Sequence, residues 1–321
     1  MNAITDTDPD PAITGSDLNE ALRDVAMLAD VTIGVWSAER SDRKIMAKVK
    51  ADADAVGNVG RVIKNTLAGA DDKLRDTRAY YAAVRSQHYA LTLPWVSDPH
   101  ADRQRGPRLL PNRLFDRYLT SMSARKKLAL NALEAFIDDY PHAVDRARIN
   151  LKALADVDYP DVAEVRRAFK VSFDFEPVPQ GTDFRGLPPA MIGRLAAGLA
   201  RKQEVMVASA TSAMWEKVRE RLDHLATRLG QPDAIFKSST LANVTELPTL
   251  MPAWDVARDP RVTEVSNEIS AMVAGLDADK LRGNPAARTE VSAKAAALAR
   301  KLESWGVCPW QNQTELRQLI R

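Results

Sequence analysis

The sequence predicts a mainly α-helical protein: an elongated helical bundle with one very long helix and a minor two-stranded β element. Three observations predict it. Ala, Leu, Val, Arg, Glu and Asp dominate while Gly and aromatics are few, and Ala and the unbranched side chains lose least entropy in a helix. Apolar residues recur at helical spacing over most of the chain. Only two short runs, at 31–36 and 171–176, alternate apolar and polar residues as strands do. At 321 residues, 45% of them hydrophobic, the chain exceeds a usual single domain and can bury a sizeable core.

Residues 1–16 are rich in Asp, Thr and Pro and read as a disordered acidic tail. Ser16 or Asp17 can cap a first helix with Leu18, Leu22, Val25 and Leu28 or Ala29 as its apolar stripe. The strand at 31–36 follows, with Val31, Ile33 and Val35 on one face. Helix resumes at Asp42 through Ile45, Met46 and Val49, and Gly57 and Gly60 break it. A longer helix is expected over 62–91. The 94–111 segment, with four prolines and several charges, reads as a loop. Pro111 or Asn112 opens another long helix that Asp138, Asp139, Tyr140 and Pro141 end, and a further helix covers 142–154. Tyr159-Pro160 opens a short helix to Phe169, followed by the second alternating run, Val171, Phe173 and Phe175, which Pro177 and Pro179 stop. A lone strand leaves backbone groups unpaired, so the two runs are expected to pair with each other.

After Pro188-Pro189 comes the longest element, 190–229. Ile192, Leu195, Leu199, Met206, Ala210, Met214, Val218, Leu222, Leu225 and Leu229 form its stripe. The steps of four drift from the 3.5-residue repeat, so the packing resembles a coiled coil without its regularity. Such a helix needs partners along its length, and further helices are expected at 234–247, 260–276 and 284–305. The organisation that follows is an acidic tail at 1–16, a helical domain with a small sheet at 17–185, a long-helix bundle at 186–305 and a C-terminal tail at 306–321. No repeat of 20 to 50 residues supports a solenoid.

The single cysteine, Cys308, cannot form an internal disulfide, and no apolar run is long enough to span a membrane. Acidic residues near the N-terminus stand where a signal peptide needs positive charge, so the cytoplasm is the expected compartment. No catalytic constellation emerges. His88, His100, His142 and His224 lack the spacing of zinc ligands. Asp71-Asp72 would point about 100° apart on a helix and not converge on an ion. Gly57-Asn58-Val59-Gly60 lacks the Lys-Ser/Thr of a phosphate loop, and no Gly-x-Ser-x-Gly elbow occurs. No catalytic residue, metal or cofactor is therefore expected.

The net charge is only +2, so any nucleic-acid surface must be local. Charge is unevenly placed: residues 101–130 hold Arg103, Arg105, Arg108, Arg113, Arg117, Arg125, Lys126 and Lys127 against Asp102 and Asp116. The first thirty residues are acidic by as much. Arginines beside Trp95 can contact phosphates and stack on bases, and Arg113 and Arg117 share a helix face. Arg103, Arg105, Arg108, Arg113, Arg117, Lys126 and Lys127 are thus the candidate nucleic-acid contacts. A solvated charged loop explains the same residues without a ligand.

Several pieces, in order, carry a resemblance: Val35-Trp36-Ser37-Ala38, the 88–95 run His-Tyr-Ala-Leu-Thr-Leu-Pro-Trp, and the 106–111 run Gly-Pro-Arg-Leu-Leu-Pro. Asp158-Tyr159-Pro160, the 173–179 run Phe-Asp-Phe-Glu-Pro-Val-Pro, Asp183-Phe184-Arg185 and Met214-Trp215-Glu216 follow. Together they resemble an uncharacterised helical family, a domain of unknown function encoded by tailed bacteriophages and integrating mobile elements, over about residues 30 to 303. The resemblance implies no catalytic residues. It implies proximity to phage recombination or replication genes or to MoxR-like AAA+ ATPases, and hence the host cytoplasm. The expected function is a non-enzymatic phage accessory protein, binding single-stranded or duplex DNA or acting as an adaptor. The alternative is a self-associating structural or assembly protein built on the 190–229 helix.

Overall fold

A computed structural model of the protein describes residues 22–54, 56–57, 60–98, 106–155, 158–231 and 237–305. Backbone contacts divide the chain into two compact units. The first draws on Met1–Asp30, Leu91–Phe115 and Phe175–Arg321, the second on Val31–Ala90 and Asp116–Asp174. Helix dominates, as expected, but the two-stranded element is corrected to a four-stranded sheet accompanied by a separate hairpin.

The sheet order is β4-β5-β1-β6, with β1 at Ala26–Gly34, β4 at Leu93–Pro94, β5 at Arg108–Pro111 and β6 at Lys170–Pro177. The two alternating runs lie side by side as β1 and β6, the neighbours expected. What the sequence hides is the start of β1. Ala26 pairs with Pro111, Leu28 with Leu109 and Ala29 with Arg108, all antiparallel, where a helical stripe was the expectation. Leu109 in turn faces Leu93 across the β4–β5 pair. The 94–111 segment therefore has strand at both ends. At Gly34 a Cβ would sit 2.9 Å from the Ala168 carbonyl oxygen, so the approach of these two backbones requires glycine.

In the second unit, β2 (Glu39–Ser41) and β3 (Ile63–Asn65) form an antiparallel hairpin that encloses α1 (Arg43–Asp52). The helix expected over 62–91 begins only at Asp72: α2 spans Asp72–Leu91, because β3 and a turn take the preceding residues. Pro141 does not end a helix. α3 runs Phe115–Leu151 through it, with Ile137 and Tyr140 before the proline and Ala143 and Val144 after it all buried. Burial on both sides outweighs the lost hydrogen bond, which costs about 3 kcal/mol in an exposed helix. α4 (Val162–Ala168) follows, capped by the Asp161 carboxylate on the Glu164 amide at 2.6 Å. Aromatic rings fill the core. Trp36 stacks on Phe136 at 6.2 Å, meets Tyr140 edge-on at 5.6 Å, and Phe169 touches both Tyr81 and Phe136. His88 Nδ1 lies 2.8 Å from the Tyr118 hydroxyl, which makes it a buried structural histidine.

The first unit is organised on α5 (Pro189–Gly230), 42 residues and roughly 60 Å long at 1.5 Å per residue. Its buried residues begin at Gln203 and continue to Leu229. It packs on α10 (Pro285–Ser304), which Asn284 caps by accepting from the Ala287 amide at 3.0 Å. Ser292 donates to the Ala226 carbonyl at 2.8 Å and Arg288 to that of Gln231 at 2.7 Å, fixing the C-terminal end of α5. The helix expected at 234–247 is two short ones, α6 (Ser238–Thr245) and α7 (Leu247–Trp254), followed by α8 (Arg261–Val273) and α9 (Ala278–Arg282). Asp259 accepts from the Trp215 indole at 3.2 Å and from Arg261, whose guanidinium lies 5.7 Å from the Trp215 ring and 5.1 Å from that of Trp305. The two indoles meet edge-on at 5.7 Å.

Burial predicts the response to truncation. Leu222→Ala, at a fully buried position of α5, is expected to cost about 2–5 kcal/mol in denaturant unfolding. Val49→Ala, at a position 46% exposed on α1, is expected to change stability by less than about 0.5 kcal/mol.

Candidate nucleic-acid interface

α1 is an unusual helix. Between Arg43 and Lys50 it carries four cations, Arg43, Lys44, Lys48 and Lys50, and no acid before Asp52. None of its residues is buried; Ile45 and Met46 are half-covered and Val49 faces solvent. A ten-residue helix has little intrinsic stability in water and usually persists because one face packs on a core. Its charges also oppose its dipole. Arg43 and Lys44 stand in the first turn, where the helix end is already positive, at a cost of about 0.3–1 kcal/mol each. The Asp42 carboxylate offsets part of that by capping the Ile45 amide at 3.0 Å.

The hairpin adds to this charge. Arg40 and Lys64 are cross-strand neighbours, and Arg40, Ser41, Asp42, Arg43, Lys44, Lys64 and Asp158 line a cavity of about 290 Å³. Lys64 is committed within it: its ammonium is 3.1 Å from the Asp42 carboxylate and donates to the Leu154 carbonyl at 3.0 Å. Hydrogen bonding from the Ile45 amide, and then from Lys64, holds the Asp42 carboxyl below the usual carboxylate range. The result is a capped, ionised helix start rimmed by arginine and lysine.

The residues expected to touch nucleic acid scatter. Arg103 and Arg105, like His100, the acidic tail and the 306–321 tail with Cys308, lie outside the described residues. Arg117, Lys126 and Lys127 stand on α3 in the second unit, with Arg117, Lys127 and neighbouring Arg125 exposed. Lys126 is half-buried, its ammonium 5.4 Å from the Phe173 ring centre. Arg113, exposed on the 3-10 turn Asn112–Leu114 of the first unit, lines a separate cavity of about 530 Å³ with Asp24, Asp255, Arg258 and Asp259. Burial pushes the Asp255 carboxyl up, and the charge of Asp259 adds to the effect.

Arg108 is corrected from a surface contact to a core anchor. It is 5% exposed on β5, and its guanidinium donates to the Thr92 hydroxyl at 2.8 Å and to the Thr92 carbonyl at 3.3 Å. Lys217 feels its charge. Desolvation first, then Arg108 and Arg221, push the Lys217 ammonium down to about 7, although it and Arg221 each lie 5.5 Å from the Trp254 ring centre.

Sequence reasoning passed over 39–64, where Arg40, Arg43, Lys44, Lys48, Lys50, Arg61 and Lys64 oppose four acids. The legible signal was a short amphipathic helix with cations on both sides of its apolar stripe. Among the described residues, no group of three or more His, Cys, Asp or Glu could hold a metal ion, and no helix is long and apolar enough to cross a membrane. Comparison of the chain with family models, with curated proteins and with solved structures finds no match in any of the three.

Lys217 supplies a pH test. Its folded value lies below the ordinary 10.5, so between about pH 7 and 10.5 the unfolded chain binds more protons and stability rises with pH. Below about pH 7 the penalty is complete. Lys217→Met is expected to raise stability at pH 6 by about 1–3 kcal/mol, after discounting for the side chain's partial exposure, and to flatten the rise toward pH 10. Denaturant unfolding across that range measures both.

Proposed function

We propose that the protein is a non-enzymatic nucleic-acid-binding accessory protein. Its contact surface is the β2–α1–β3 segment together with Arg117, Arg125, Lys126 and Lys127 of α3. The observation that carries this reading is α1 itself, a helix with no buried residue that presents four cations, two of them against its own dipole. Charge placed at such a cost, on an element that adds little to the core, serves an external anion. Phosphate backbones are the extended anions that a dispersed set of Lys and Arg recognises without sequence preference. Resemblance to proteins of tailed phages and integrating elements supports recombination or replication as the setting, in the host cytoplasm. No reaction is assigned to it.

The test is a mobility shift with single-stranded and duplex DNA, titrated with salt. Binding is expected to weaken steeply as salt rises. The double variant Arg43→Ala/Lys48→Ala is expected to lower affinity at least tenfold and to reduce the slope of log K against log salt by about two. Alanine is the better helix former, and losing a first-turn cation relieves the dipole, so this variant should be no less stable than the parent. Unchanged affinity, or a response indifferent to salt, rejects the reading.

A further inference from the structure

The first part of α5 extends past the core that holds the rest of the helix. From Pro189 to Lys202 no residue is buried, and burial starts at Gln203. One side of this stretch has a cover. The 3-10 turn Gly181–Asp183 lies against it, so that a Cβ on Gly181 would stand 2.8 Å from that of Ala196, and the Gln203 amide donates to the Pro179 carbonyl at 2.6 Å. Flanking that side the helix presents Met191, 48% exposed, and Leu195, 38% exposed, while Ile192 and Leu199, on the covered side, are half-covered. Positions 191, 195 and 199 follow one another at four-residue steps and form a continuous apolar stripe. An apolar stripe of this kind on a helix that already exceeds its own core marks contact with another protein.

The charge around the stripe selects the occupant. Arg194, Arg201 and Lys202 are exposed, and no acidic residue occurs between Pro189 and Gln203. A second copy laid on the same stripe would bring like charges together, which opposes pairing. A helix with apolar residues at i, i+3, i+4 and i+7 and glutamate or aspartate beside them complements both features. Gly193 and Gly198 add room. A Cβ at either position would meet nothing within 4 Å, and glycine inside an exposed helix costs about 0.5–1 kcal/mol relative to alanine.

We propose that the 189–202 segment of α5 is the docking surface for an acidic amphipathic helix of a partner protein.

The experiment uses the full chain and two labelled synthetic peptides of about twenty residues with the same leucine stripe, one flanked by glutamates and one by lysines. Fluorescence anisotropy is expected to show binding of the glutamate peptide, weaker at high salt, and at least tenfold weaker binding of the lysine peptide. Leu195→Glu and Met191→Glu, at positions that leave the core untouched, are each expected to weaken the glutamate peptide at least tenfold while circular dichroism and unfolding midpoint stay as in the parent. Failure of the glutamate peptide to bind, equal binding of both peptides, or indifference to the two variants overturns the proposal. So does sedimentation showing a dimer that Leu195→Glu disperses, because a second copy would then own the stripe.

Discussion

Burial of α5 from Gln203 to Leu229 is the constraint on which the first unit depends. Forty-two residues cannot stay helical on propensity alone, and the first part of this helix contains two glycines that work against it. Packing on α10 supplies what propensity does not. Ser292 and Arg288 reach across to the Ala226 and Gln231 carbonyls and set where α5 lies against α10 and where it ends. Trp254, at the end of α7, is then held where Lys217 and Arg221 cover its ring, while its indole donates to the Leu91 carbonyl at 3.4 Å. The short helices α6 to α8 can be short because α5 organises them.

α1 and the first part of α5 are stretches of helix without a buried residue, and they differ in what they present. α1 shows cations with a small apolar stripe; the start of α5 shows aliphatic side chains with a few cations. Helix that is not held by a core must be tolerated for another reason, and the side chains name it. Charge without burial suits a hydrated polyanion whose contacts are dispersed and exchangeable. Aliphatic side chains without burial suit a partner that removes them from water. The two stretches also belong to different compact units, so each can be perturbed while the other is kept as an internal control.

Local features were legible in the sequence and non-local ones were not. Pro188-Pro189 and the long stripe located α5 within a residue at either end, and alternation at Val31 and at Val171 found β1 and β6. The start of β1 was missed because Leu22, Val25 and Leu28 are spaced as well for a helix. Only β5, eighty residues further on, decides that Ala26 to Ala29 extend. Pro141 misled for the opposite reason, since its local effect is real but the buried residues on both sides outweigh it. Counting charge found the basic stretch after residue 101 but could not tell an arginine on the surface from Arg108, which the sheet encloses. The hairpin and α1 escaped because their cations are spread over 25 residues among acids, and become a set only when β2 and β3 pair.

The arrangement of Trp215, Trp305 and Arg261 gives the first unit an optical signature. Trp305 closes α10, and its ring is held edge-on to Trp215 with one guanidinium against both. A charged group in contact with an indole alters its emission, and an adjacent second indole can exchange excitation with it. The fluorescence of this pair therefore reports whether the last turn of α10 is seated on α5.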